Sequence, residues 1–255
     1  MALGRDEIDA ASFTAIRLLA GAITLSILLV ITRKKKGILR SGNWRSAFFL
    51  FAYAICFSFA YLGLTTATGA LILFGCVQMT MIGISIWKGE RPEGLEWLGL
   101  IVAVAGLIYL VFPGLTSPPL ISAVLMAAAG VAWGLYTLRG KVSTDPLADT
   151  TGNFIRSVPM VALAFLPFVS QIHLSNRGIA LAILSGSVAS GIGYTVWYSA
   201  LNFHTATRAA VLQLTVPVIA SVGGLLFMSE TADLRLIVAS GLVLGGIGLT
   251  IVGRK

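Results

Sequence analysis

The chain has 255 residues, 57% of them hydrophobic and only 11% charged, with a formal net charge of +8 and a mean hydropathy of +0.92. A water-soluble domain carries roughly twice that density of charge or more, and a disordered chain is poor in apolar residues. Both classes are excluded, and the surplus apolar surface is expected to face lipid.

The chain opens on Arg5-Asp6-Glu7-Ile8-Asp9, acidic on balance and unlike the basic start of a cleavable signal peptide. The first apolar span, Ser12–Thr32, holds one charge, Arg17, and is followed by Arg33-Lys34-Lys35-Lys36. Ser46–Leu64, Thr66–Trp87, Trp97–Phe112 and Pro118–Leu138 are uncharged. Thr150–Ile172 holds only Arg156, and Gly178–Phe203, Ala209–Ser229 and Leu236–Gly253 hold no charge. Each window is near the ~20 residues that carry a helix across a ~30 Å hydrocarbon core. Barrel strands of ~10 residues do not fit this pattern. Short connections predict antiparallel neighbours. The expected fold is an all-α membrane protein, a bundle of about nine transmembrane helices.

Basic residues fix the expected topology. With the loop after the first span cytoplasmic, that side holds thirteen Lys and Arg against three on the other, Arg5, Arg177 and Arg235. The N-terminus is then outside and the C-terminus in the cytoplasm. The basic residues lie in loops between apolar spans, so they form no nucleic-acid-binding face. Cys56 and Cys76 both lie inside spans and support neither a disulfide framework nor a metal site. His173 and His204 fall in opposite loops, and no Asp or Glu lies deep in a span. No metal or cofactor is therefore expected, and a membrane-embedded enzyme is disfavoured.

The chain also resembles itself. Thr66-Ala67-Thr68-Gly69-Ala70 matches Thr205-Ala206-Thr207-Arg208-Ala209, and Ile16-Arg17 matches Ile155-Arg156. Glu90 pairs with Glu230, and Gly99 and Gly106 pair with Gly241 and Gly248. Matches in one order indicate a duplication. Matched spans lie an odd number apart, so each pair crosses in opposite senses, an inverted repeat of the kind used in alternating access.

At these residues the sequence resembles the EamA-type transporters of the drug/metabolite transporter superfamily. Trp133 and Tyr136, the run Gly186, Gly191, Gly193, Tyr194, Trp197, Tyr198, then Pro217 and Glu230, carry the likeness. The resemblance implies two EamA-like repeats, residues 1–116 and 117–255, the first with four helices and the second with five. The first repeat thus lacks a partner for Pro118–Leu138, and an upstream start, a helix from another chain or a loss of transport would each account for it. It also has Gln78 where the family often has Pro.

The function implied is secondary transport of small metabolites such as amino acids, probable export resting on the resemblance alone. A non-transporting or partner-dependent membrane subunit is the rival reading. The expected location is the inner (plasma) membrane. The expected partners are a small-molecule substrate and the lipid bilayer, with a homodimer left open and nucleic acid excluded. Candidate substrate-binding residues are Phe74, Gln78, Trp133, Tyr136, Tyr194 and Gln213, with Phe74 and Gln213 equivalent in the repeat, and Trp133, Tyr194 and Gln213 expected to share a central cavity. Both glutamines read equally well as interhelical packing bonds. For Trp197 and Tyr198 an interfacial aromatic belt is the better reading. Arg17 and Arg156 are candidates to contact a substrate anion, although snorkelling to the headgroups is preferred for both. The GxxxG pairs Gly130–Gly134 and Gly241–Gly245 are assigned to helix packing.

Overall fold

In the computed structural model, the described residues are 7–32, 41–112, 115, 117–220 and 234–253. Among them lie nine helices: α1 (Ala10–Ile31), α2 (Trp44–Ala60), α3 (Thr66–Trp87), α4 (Gly94–Val111), α5 (Leu120–Gly140), α6 (Pro146–Phe165, extended by a 3₁₀ segment, Leu166–Gln171), α7 (Asn176–Leu201), α8 (Ala206–Ala220) and α9 (Leu234–Val252). All but α2 and α8 are long and apolar enough to cross a membrane. The chain is an all-α, multi-pass membrane protein.

Helices start at polar caps rather than where charge runs out, so several begin a few residues before their uncharged windows. The side chains of Asp9, Asn43, Asp145 and Ser175 each accept the backbone N–H three residues on. That bond satisfies one of the donors every helix start leaves open. Thr65 and Thr205 cap α3 and α8 in the same way. Counted from these caps, Gln213 stands at the position of Leu73.

Among the described residues, two helices lose regular α geometry within their length. α7 passes through a π-helical segment, Ser185–Ile192, between two α-helical parts. α8 is interrupted at Gln213-Leu214. Pro217 stands four residues after Gln213 and offers no N–H to its carbonyl. That carbonyl accepts from Val216 at 3.1 Å instead, a tighter i→i+3 bond. Residues 221–233, including Glu230 and the end of the expected span Ala209–Ser229, lie outside the described residues.

The helices divide into two compact units, residues 1–64 with 119–203 and residues 65–118 with 204–255. Each unit takes helices from both sequence halves: α1 packs on α6, α3 on α8 and α4 on α9. In the second unit a core of Phe74, Leu107, Val211, Leu214, Val243 and Ile247 joins α3, α4, α8 and α9. The α4–α9 seam runs through glycine. A Cβ on Gly99 would strike Thr250 and the Gly246 carbonyl, and one on Gly106 would meet Leu242 and Val243. The glycines predicted to pack, Gly241 and Gly245, face open space, as does Gly248. Close approach depends on Gly246, one position along from the expected pair. Gly130 and Gly134 are buried in α5.

In the first unit, residues 7–9 run antiparallel to residues 173–175. Asp9 N–H donates to the His173 carbonyl and His173 N–H to the Asp9 carboxylate, both at 3.0 Å. Glu7 accepts from the Ser175 hydroxyl at 2.6 Å and pairs with Arg177 at 3.8 Å. At a separate place, residues 41–46 are clamped to α6. Gly42 N–H donates to Asp149 and Asn43 N–H to Asn153, both at 2.9 Å. Gly42 has φ +71°, and a Cβ there would meet Asn153.

Candidate functional site

Arg17 anchors the most unusual arrangement of the first unit. It sits on α1 with 7% of its surface exposed. Its Nε donates to Ser190 Oγ at 2.9 Å, and its Nη2 donates to the hydroxyls of Tyr194 at 2.9 Å and Tyr53 at 3.3 Å. The guanidinium also lies over the rings of Tyr53 and Phe57, 5.4 and 5.7 Å from their centroids. A guanidinium stays protonated in any protein environment, so this is a fixed positive charge. No carboxylate among the described residues pairs with it. The preferred snorkelling reading is overturned, because three hydroxyl acceptors from α2 and α7 hold the side chain inward.

The local sequence explains the close fit. Gly186 lets α7 touch α1, since a Cβ there would strike the Arg17 carbonyl. Gly21 makes the reciprocal approach, where a Cβ would meet the Phe154 ring. The π segment carries Ser190 and leads directly into Tyr194. π-helical turns are frequent at functional sites.

Trp133 of α5 lies between two of these tyrosines, with centroids 4.9 Å from Tyr53 and 4.6 Å from Tyr194. Tyr136 follows at 5.9 Å from Trp133 and meets Tyr198 edge-on at 5.4 Å. Tyr136 and Tyr198 are both sealed from solvent. Tyr198 packs where Gly140 leaves room for its ring, so the belt reading is corrected for this residue. Trp197 is half-buried.

The remaining candidates occupy the second unit. Gln78 Nε2 donates to the Ala210 carbonyl at 2.6 Å, while its Oε1 is buried with no partner among the described residues. Gln213 Nε2 donates to Met81 Sδ at 3.0 Å, and Phe74 belongs to the apolar core. Both glutamines thus make the interhelical bonds weighed for them. Arg156 takes a different role from Arg17: its Nη1 donates to the carbonyls of Ser41 at 2.6 Å and Gly152 at 2.9 Å. The structure brings Arg17, Trp133, Tyr136 and Tyr194 together and holds Phe74, Gln78 and Gln213 in the other unit.

Sequence reading did not single out Tyr53, Phe57 or Ser190 for the site. Tyr53 and Phe57 have only a four-residue spacing, which places them on one face of α2. Ser190 sits among glycines whose packing role hid it. A second buried pair was also missed: Glu96, 1% exposed, faces Arg208 at 3.4 Å. Arg208 further donates to the carbonyls of Thr250 and Ile251.

An uncharacterized protein of Pseudomonas aeruginosa is 48% identical over 253 residues, covering 99% of this chain and 88% of its own. The threonine/homoserine exporter RhtA of Escherichia coli K12 is 25% identical over 183 residues, covering 68% of this chain and 60% of the exporter. A crystal structure with 17% sequence identity matches with a TM-score of 0.82, covering 97% of this chain and 90% of that one, and shares the fold. The model of the EamA-like transporter family matches residues 1–112 and 120–252. The chain belongs to the EamA-like transporter family, within the drug/metabolite transporter superfamily.

Proposed function

We propose that the chain is a secondary transporter that exports small metabolites such as amino acids by alternating access. One observation carries the reading: a buried fixed cation beside an aromatic wall, held in part by a helix, α7, that passes through a π-helical segment. Aromatic walls with a few polar groups suit small, partly apolar solutes, and discontinuous helices are a recurrent element of transporter sites. The name of RhtA, a threonine/homoserine exporter, supports amino acids as a substrate class. Residues 1–116 and 117–255 act as the two inverted repeats. Trp133, Tyr136 and Tyr194 contact the substrate within the first unit. The protein works in the inner membrane with its N-terminus outside and its C-terminus in the cytoplasm.

The test is efflux of radiolabelled threonine and phenylalanine from proteoliposomes holding the purified chain. Transport above protein-free vesicles is expected, with Trp133→Ala slowing it at least about 10-fold, because Trp133 supplies the largest aromatic surface of the wall. Equal fluxes with and without protein, for these and for a wider metabolite panel, would defeat the proposal. Cysteine placed at 133, 194 or 213, in a background lacking Cys56 and Cys76, is expected to react with small water-soluble thiol reagents. If none of the three reacts, those positions do not line the path.

A further inference from the structure

Charge balance singles out Arg17. A buried guanidinium ordinarily carries a carboxylate partner, because an uncompensated charge inside a protein is costly. Arg17 has none among the described residues. It has instead three hydroxyl oxygens, and hydroxyls do not neutralise charge.

The donor count points the same way. A guanidinium has five N–H groups. Nε and Nη2 are engaged with Ser190, Tyr53 and Tyr194, while Nη1 makes no hydrogen bond to the described residues. The two phenol oxygens accept from Arg17, and no carboxylate among the described residues takes their protons. The cluster therefore presents N–H and O–H donors around a permanent positive charge and adds no acidic acceptor. Such a set fits an anion with two in-plane oxygens. Trp133, Tyr53 and Phe57 border it with ring faces, which suits an apolar group attached to that anion.

We infer that Arg17, with the hydroxyls of Tyr53 and Tyr194, binds the carboxylate of the transported solute. The inference rests on the transport reading and deepens it: the group read here is the carboxylate and not the ammonium. Nothing acidic in this cluster would hold an ammonium group. A 2-hydroxy acid is therefore bound much as its amino acid is, whereas an amide or amine of the same size is not.

The test uses the full chain, purified in detergent, with ligand-induced thermal shifts for L-phenylalanine, L-phenyllactate, L-phenylalaninamide, L-threonine and L-threoninamide. A ligand that binds the folded state raises its melting temperature by mass action. Both acids and phenyllactate are expected to bind at least roughly 10-fold more tightly than the amides, the size of a charge-assisted contact. Arg17→Gln is expected to abolish that ratio, and Arg17→Lys to keep part of it. Tyr53→Phe, which retains the cation, is expected to lower carboxylate affinity alone. A purely structural Arg17 would change the melting temperature without changing the acid-to-amide ratio. Amides binding or moving as well as acids would overturn the anchor and leave transport standing. Arg17→Gln or Arg17→Lys discriminating as the wild type does would likewise overturn it. Wild-type protein that binds none of the five would overturn the anchor, while the transport reading is decided separately by the proteoliposome fluxes.

Discussion

Tyr194 and Tyr136 differ in what their hydroxyls meet. Tyr194 accepts a hydrogen bond from the buried Arg17 cation, and Tyr136 meets no cation among the described residues. Removing a bonded group strands its partner, at a cost of about 1–3 kcal/mol. Tyr194→Phe is therefore expected to lower the thermal unfolding midpoint clearly more than Tyr136→Phe, as measured on detergent-purified protein. Glu96→Ala is expected to destabilise by about 3 kcal/mol, because it leaves Arg208 without its buried counter-charge.

Asp9 makes a pH-dependent contribution at the mouth of α1. Burial alone would raise its carboxyl, but hydrogen bonds from Ser12, and from the backbones of His173 and Ala11, outweigh that and hold it below the usual carboxylate value. A lowered folded-state pKa favours the native state above the unfolded value of about 3.9. That contribution is whole at pH 5 to 7 and is lost as pH falls through the folded value. Asp9→Asn, which keeps a capping oxygen, is expected to flatten the melting profile below about pH 4 and to leave it unchanged in shape between pH 5 and 7.

At the scale of the element, the spans were legible because their period and length are set by the bilayer, which selects for apolar composition directly. Their irregularities were less so. Pro217 was visible, but where α8 would break required knowing which carbonyl it leaves open. The π segment has no signature beyond glycine enrichment, so Ser190 and its bond to Arg17 were out of reach. The favoured snorkelling of Arg17 failed for a related reason: composition places a charge within a span but not the hydroxyls on other helices that turn it inward. The glycine seam shows the same limit, since Gly246 packs and Gly241 does not, although both lie in one run. Gly186→Leu is expected to force α1 and α7 apart and cost several kcal/mol, as overpacking against backbone does. Gly42→Ala should cost about 1–2 kcal/mol from the positive φ alone, with more from the Asn153 contact. Both are read from thermal melts.

Across the whole molecule, the basic-residue asymmetry predicts that a reporter fused after Lys255 is cytoplasmic. A reporter found on the opposite side would refute the proposed orientation. The interleaving of the two sequence halves into two units was not legible, because pairing between distant helices leaves no local trace.

That interleaving constrains biosynthesis. Chains emerge from the N-terminus, so α1 enters the bilayer long before α6 and α7 exist. Until then Arg17 can find Tyr53 on α2 but neither Ser190 nor Tyr194, which are added more than 170 residues later. A nascent chain stopped after α5 therefore holds a partly satisfied cation in an apolar helix, a state the membrane disfavours. Such a chain should be cleared by quality-control proteases faster than one stopped after α7. Completion of the first unit, and not simple insertion of each span, is then the step at which the newborn protein escapes degradation.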